Sequence, residues 1–298
     1  MRLTSIAIEG QTALPRHITL PPGGACVIHA PNGPLTTTLV EAVAAAKERI
    51  GPYGVGGSVL WPTGRPRLEV TLGLTLTEEE IEFSAADGGA IEVSCAIGGP
   101  EGANAPPIAP GAAALFKRTH RGKGTFELIP AERSLIGSPP GGGIPGRIAD
   151  MLRLSTHVKK YAGLPRLLIE AARDAAPSFD AFRRAFDVLS PVTKTLGLRR
   201  RGDTAELLFQ RGRAPVTFAE LGLDEHQYVL FAGLHAIRTF EHSVILFDAP
   251  ELHLSEAGAR ALAERIPDLL GHHNQVVFAT RSLAIAGAFP ASHVLRIE

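Results

Sequence analysis

The stretch Val244-Ile245-Leu246-Phe247-Asp248, four apolar residues closed by an aspartate, constrains the fold more than any other segment of the chain. A short apolar run without polar alternation reads as a strand covered on both faces, as in a parallel sheet. Open parallel sheets bind ligands beyond the carboxyl ends of their strands, so this strand delivers Asp248 to the edge where chemistry takes place. The continuation Ala249-Pro250-Glu251-Leu252-His253-Leu254 carries the chain over that edge.

The rest of the sequence supplies elements to pack around such a strand. Leu3–Ile8, His17–Leu20 and Ala25–His29 read as short strands between Pro/Gly turns. A loop, Ala30–Leu35, leads into a helix over Thr36–Ile50, where Leu39, Val43 and Ala46 fall at helical spacing. Residues 57–98 predict an antiparallel meander with strands at 68–72, 81–83 and 91–94, and Phe126–Pro130 reads as a further core strand. A helical stretch is expected from about Ile144 to Leu198, without a heptad repeat long enough for a coiled-coil arm. A hairpin (204–210 and 215–218), a helix (224–240), the strand at 244–248, a helix near 255–270 and a last strand pair (275–280 and 293–297) complete the order. This predicts one α/β domain spanning residues 1–298. Its core is 1–50 and 204–298, with a β-rich insertion at 51–137 and a helical insertion at 138–203.

Composition narrows the partners. With 298 residues, 45% of them hydrophobic, the chain is long enough to bury a sizeable core. Lys+Arg and Asp+Glu both number 30, so no global basic field points to nucleic acid. The local basic runs Lys117–Lys123 and Arg199–Arg201 read first as solvated charge, with DNA or an acidic partner as the alternative. Two cysteines, Cys26 and Cys95, are no disulfide framework and are expected to be reduced structural thiols. No signal-like or membrane-length apolar segment occurs, so a soluble, cytoplasmic protein is expected, with no membrane partner. The 11 histidines show no zinc-ligand spacing, and no Ser-His-Asp elbow is present.

Three further segments flank the strand in a telling order. His29-Ala30-Pro31-Asn32-Gly33-Pro34-Leu35-Thr36-Thr37-Thr38-Leu39 joins a strand to a helix. Leu221-Gly222-Leu223-Asp224-Glu225-His226-Gln227 opens the helix before Val244. Phe278-Ala279-Thr280-Arg281-Ser282 follows the last core strand. Together with Asp248-Ala249-Pro250-Glu251-Leu252-His253-Leu254 they resemble the AAA-type P-loop ATPase heads of the ABC/SMC/RecF-like kind. Those heads usually read Gly-Pro-Asn-Gly-Ser-Gly-Lys-Ser-Thr-Leu, Leu-Ser-x-Gly-Glu-x-Gln and Asp-Glu-Pro-Glu-Leu-His-Leu, with Thr-His-Ser in the switch. The resemblance covers residues 1–50 and 215–298.

It implies a P-loop NTPase-like fold, with Asn32, Gly33, Thr36, Thr37, Thr38, Asp248 and Arg281 at the nucleotide positions. Thr37 and Asp248 would face Mg²⁺ if Mg-ATP binds, and Gly222, Asp224 and Glu225 stand at the signature position. The departures bear on activity. A phosphate cradle needs backbone N–H groups aimed inward and a lysine on the β- and γ-phosphates. Here Pro34 has no N–H, Leu35 replaces a glycine and Thr36 replaces the lysine. Ala249 stands where a carboxylate would polarise water, and Asp224 where a glycine would meet phosphate. Arg281 replaces a histidine and cannot titrate. Such heads place a loop glutamine between the P-loop helix and the helical insertion, and here no Gln occurs between Gln11 and Gln210. Glu251 is expected to support helix 255–270 and Asp224 to be favourable acidity in a first helical turn.

No catalytic residue is therefore assigned and no cofactor is expected. The resemblance implies a scaffold or regulatory subunit beside a protein partner, whether an active ATPase paralogue or a second copy of itself. The alternatives are an ATPase in DNA repair or anti-phage defence, using Mg-ATP through unconventional residues, and DNA binding without nucleotide.

Overall fold

The computed structural model describes residues 1–10, 13–62, 64–98, 107–118, 124–136, 152–201, 204–238 and 240–298. Five parallel strands form its centre, in the order β12 (Val294–Arg296), β3 (Ala25–His29), β11 (Gln275–Thr280), β10 (Val244–Asp248) and β6 (Phe126–Ile129). Every residue of β3, β6, β10 and β11 is buried, as strands covered on both faces must be. Alternation divides their side chains. Cys26, Ile28, Leu246 and Val277 enter one core, while Val27, Ile245, Phe247 and Phe278 enter the other.

The first core lies under α1 (Gly33–Ile50), which is packed between the parallel sheet and a second, antiparallel sheet. That sheet runs β2 (His17–Thr19), β1 (Arg2–Glu9), β4 (Leu68–Thr75) and β5 (Ala90–Ile97). Approach from both sides explains why Ala42, Ala44, Ala45 and Ala46 are all buried: small side chains let two sheets close on one helix. Three short helices, α2 (Gly57–Leu60), α3 (Glu78–Ser84) and α4 (Pro110–Phe116), complete this half.

The second core is covered by α5 (Leu164–Arg173), α6 (Pro177–Leu189), α7 (Leu223–Arg238), α8 (Glu256–Leu270) and α9 (Leu283–Ala286). A row of rings, Phe231, Phe247, Phe278 and Phe289, crosses it with centroid separations of 4.8, 5.6 and 5.4 Å. A three-stranded sheet, β7 (Thr193–Arg201), β8 (Thr204–Arg211) and β9 (Ala214–Thr217), joins α6 to α7.

Several expected elements take another form. Residues 81–83 belong to α3, because Thr77 and Glu80 close a reciprocal capping box and three glutamates occupy the first turn. The helical stretch expected to reach Leu198 ends at Leu189, and Thr193–Arg201 is a strand. A bulge between Thr195 and Gly197 breaks its alternation. Residues 275–280 and 294–296 do not pair with each other; each lies parallel to β3. The beginning of the helical insertion, 138–151, lies outside the described residues, as do residues 119–123 of the first basic run. Cys26 and Cys95 are free and buried, and burial pushes both thiols up to about 12.

At β6 the second core holds charge. Glu127 is fully buried with Lys160 at 2.8 Å and Arg153 at 3.4 Å, and the Tyr161 hydroxyl donates to it at 3.2 Å. Burial works against this carboxylate, but Lys160, Arg238 and Arg153 outweigh it and hold its pKa low. Lys160 also donates to Leu128 O and Arg153 O, and burial brings its ammonium down to about 8. Removing the anion strands the cations, so Glu127→Gln is expected to cost about 3–5 kcal/mol in urea denaturation. Tyr161→Phe, which removes one neutral donor, is expected to cost about 1 kcal/mol.

Candidate functional site at the carboxyl edge of the parallel sheet

Helix α1 begins at Gly33, three residues earlier than the predicted Thr36, and Asn32 is its N-cap without a side-chain bond. The link from β3 is therefore Ala30–Asn32, not Ala30–Leu35. Pro34 sits in the first turn, where proline's fixed φ suits a helix start. It contributes no N–H, and Leu35 gives its own to Asn32 O at 3.1 Å. Thr36 is 2% exposed and its hydroxyl donates back to Gly33 O at 2.9 Å. Thr38 does the same to Pro34 O at 2.7 Å. Of the three threonines, Thr37 alone reaches across to another element, donating to Asp248 Oδ1 at 3.0 Å.

Asp248 is 4% exposed at the end of β10. Burial, with Glu41 and Glu251 nearby, raises its carboxyl to about 6 against the lowering effects of Thr37 and Arg133. The chain then turns sharply. Ala249 adopts φ +41° and gives its N–H to Ala279 O, and His253 adopts φ +68°.

Sequence reasoning missed the residue that holds this turn. Arg133, after β6, is 3% exposed and donates to Pro130 O and Ala131 O at 3.1 Å, Pro250 O at 3.1 Å and Leu252 O at 3.0 Å. Its Nε donates to Gln227 Oε1 of α7 at 2.7 Å. Its guanidinium carbon lies 5.2 Å from the Phe247 ring centroid, and burial lowers its pKa to about 10, so it stays charged. The signal available was an arginine four residues after the end of a core strand.

Glu251 does not support α8. It accepts from Thr280 Oγ1 at 2.6 Å and Arg281 N at 3.2 Å, tying the turn to β11. Helix α8 is capped by Ser255, whose hydroxyl accepts from Gly258 N at 3.1 Å. Asp224 in turn accepts from Ser255 N at 2.8 Å and Ser255 Oγ at 2.5 Å. So Asp224 is more than first-turn acidity: it braces α7 to α8. Glu225 accepts from Thr193, Arg211 and Gly222 N. Burial opposes its charge, but Arg211, Thr193 and Gly222 outweigh it and lower its pKa. Both signature-position carboxylates are thus engaged inside the chain.

Arg281 comes to the start of α1. Its Cδ lies 3.5 Å from where a Cβ on Gly33 would stand, its side chain is 61% exposed, and its Nε is 3.9 Å from Glu251 Oε1. His29 ends β3 with an Nε2 that has no hydrogen-bond partner among the described residues. By strand alternation it shares the face of Ala25 and Val27, away from α1. Asn32, Gly33, Thr37, Asp248 and Arg281 therefore meet at one edge, while Thr36 and Thr38 turn into their own helix. Gly222 precedes α7, and Asp224 and Glu225 lie in its first turn. The pair Thr37–Asp248 suits a hydrated divalent ion. Pro34 has no N–H to offer a phosphate, Leu35 N is engaged by Asn32 O, and Thr36 brings no cation to the first turn of α1.

No protein-family profile matches the chain, and no curated protein does. Solved structures do. An Smc head bound to the C-winged helix domain of ScpA aligns over 97% of this chain and 92% of its own, with TM-score 0.58 and 14% identity. An SMC head with an extended coiled coil, bound to the C-terminal domain of ScpA derived from Pyrococcus furiosus, aligns over 96% and 91%, with TM-score 0.56 and 14% identity. The SMC head domain from Thermotoga maritima aligns over 97% and 92%, with TM-score 0.54 and 15% identity. This chain has the SMC-head fold. The edge carrying Thr37 and Asp248 lies at the carboxyl ends of β3 and β10, where α1 begins.

Two outcomes follow for this edge. Asp248 binds its proton more tightly folded than unfolded, where its value is 3.8, so the stability this confers is complete below pH 4 and is lost as pH rises through about 6. Asp248→Asn is accordingly expected to gain up to about 3 kcal/mol over the parent chain at pH 7.5, with the gain shrinking to nothing near pH 4 in melting curves. Arg133→Met leaves the carbonyls of the turn without a donor. It is expected to cost about 3 kcal/mol or more and to speed amide exchange over residues 249–254.

Proposed function

We propose that this chain is a catalytically degenerate ABC/SMC-type ATPase head that serves as a scaffold or regulatory partner in a larger complex. The observation that carries the reading is Thr36. At the lysine position stands a buried hydroxyl bonded to its own helix, so the first turn of α1 supplies no cation of its own to a polyanion. Charge nearby works in the same direction, since Glu41 and Glu251 both raise the Asp248 carboxyl. Phosphoryl transfer rests on positioning and charge stabilisation, and each part removed from such sites is worth orders of magnitude in rate. Lysine, water-polarising carboxylate, loop glutamine, switch histidine and signature glycine are replaced together. Neither a catalytic residue nor a resident cofactor is assigned.

A protein partner is the natural counterpart of such a head, either an active ATPase paralogue or a second copy. Two of the similar heads are bound to a ScpA domain. DNA binding is disfavoured by charge pairing: Arg199 of the basic run is 2.7 Å from Glu206 on the neighbouring strand. The free, buried thiols of Cys26 and Cys95 suit a reducing compartment such as the cytoplasm. No helix among the described residues is long and apolar enough to cross a membrane.

The second reading, an ATPase that holds Mg-ATP through unconventional residues, is favoured by one observation, the approach of Arg281 to Gly33. Calorimetric titration with Mg-ATP, paired with melting curves, separates the two. The scaffold reading expects no binding heat and an unchanged midpoint at millimolar nucleotide. A ligand present at 100 times its Kd would stabilise by about 2.7 kcal/mol. A midpoint raised by Mg-ATP and restored to its starting value by Arg281→Ala would establish the second reading instead.

A further inference from the structure

Between α5 and the β7–β8–β9 sheet runs an open groove of about 730 Å³. Helix α5 buries Leu164 and Leu168 against the second core, and its other flank, Pro165, Arg166, Ile169 and Arg173, forms one wall. That wall is about 12 Å long, two turns of helix. Leu135, Ala162, Ala205 and Phe218 supply apolar surface, and Ile136 stands at the margin 66% exposed. His226 closes one end, its orientation fixed by Nε2 at 3.0 Å from Phe218 O.

Two of the charged groups beside this apolar surface are arginines without a partner acid among the described residues. Arg166 and Glu170 neutralise each other at 2.9 Å. Arg173 is exposed and has no ion pair among the described residues. Arg200, also exposed and without an ion pair among the described residues, stands opposite Ala205 in the β7–β8 register. Cross-strand partners project to one face, so Arg200 is carried on the side of Ala205 that lines the groove. An apolar trough walled by two helical turns and rimmed by two unneutralised arginines has the complement of an amphipathic helix with acidic margins.

We propose that this groove receives such a helix from a partner protein: an apolar stripe at i, i+3, i+4 and i+7 spacing, flanked by Asp or Glu. The proposal gives the scaffold reading a partner of defined chemistry, but it does not require the P-loop edge to be empty.

The test is fluorescence anisotropy with the full chain and two labelled helical peptides, one with leucines at that spacing flanked by glutamates, the other its twin with lysines. The acidic peptide is expected to bind with a Kd of about 1–100 µM, and the lysine twin at least about tenfold more weakly. Ile169→Asp is expected to weaken the acidic peptide by about tenfold or more. The exposed double variant Arg173→Glu/Arg200→Glu, which leaves the apolar surface intact, is expected to reverse the preference between the peptides.

Equal binding of both peptides, no binding of either, or an unchanged preference in the double variant overturns the proposal. So does a concentration-dependent dimer in sedimentation that Ile169→Asp dissolves, since a second copy would then be the occupant. Repeating the titration with Mg-ATP keeps the two readings apart: nucleotide binding overturns the scaffold reading alone, and failure of the peptide overturns the groove alone.

Discussion

The edge of the parallel sheet depends on the Arg133 guanidinium, which collects carbonyl oxygens from two separate loops and the side-chain amide of Gln227. A buried cation is costly unless its fork of donors is filled, and here backbone oxygens fill it. The exchange works in both directions. Pro250 and Leu252 lie in a turn that includes two non-glycine residues at positive φ, a conformation that persists when its surroundings dictate it. With Arg133 in place, the turn leaves β10 at one angle, Asp248 meets Thr37, and Glu251 reaches Thr280.

How much of this was legible in the residues depends on distance along the chain. Strands β3, β10 and β11 announce themselves because strands covered on both faces need unbroken apolar runs. The β8–β9 hairpin shows in its turn residues. Helix α3 was misread because Ile81-Glu82-Phe83 alternates locally, although the competing signal, Thr77 three residues before Glu80, was present. Strand β7 was hidden by its bulge. Arg133 gave no sign of its role because its partners Pro250 and Leu252 are 117 and 119 residues away and present only backbone. For the same reason the pairing of Thr37 with Asp248 was readable through the order of the motifs, whereas the turn of Glu251 toward Thr280 was not.

The two halves of the molecule solve polar burial differently. On the α1 side, Glu48 is 3% exposed and accepts from the backbone N–H groups of Tyr53 and Gly54, both at 2.8 Å, so a carboxylate organises a loop. On the other side, Glu127 meets side-chain cations brought in from the helical insertion. The first arrangement is local. The second ties residues 152–163 to the sheet edge and so fixes where α5 begins, which sets the wall of the groove.

The brace between α7 and α8 bears on which side chains that corner accepts. Asp224 is held by Ser255, and a side chain on Gly258 would have its Cβ 2.5 Å from the Asp224 carboxylate. Three positions have thus become mutually committed. A glycine at position 224 would leave the Ser255 N–H and hydroxyl without their acceptor and open a gap beside Gly258. The brace behaves as a three-part lock, in which none of these positions is free to change alone.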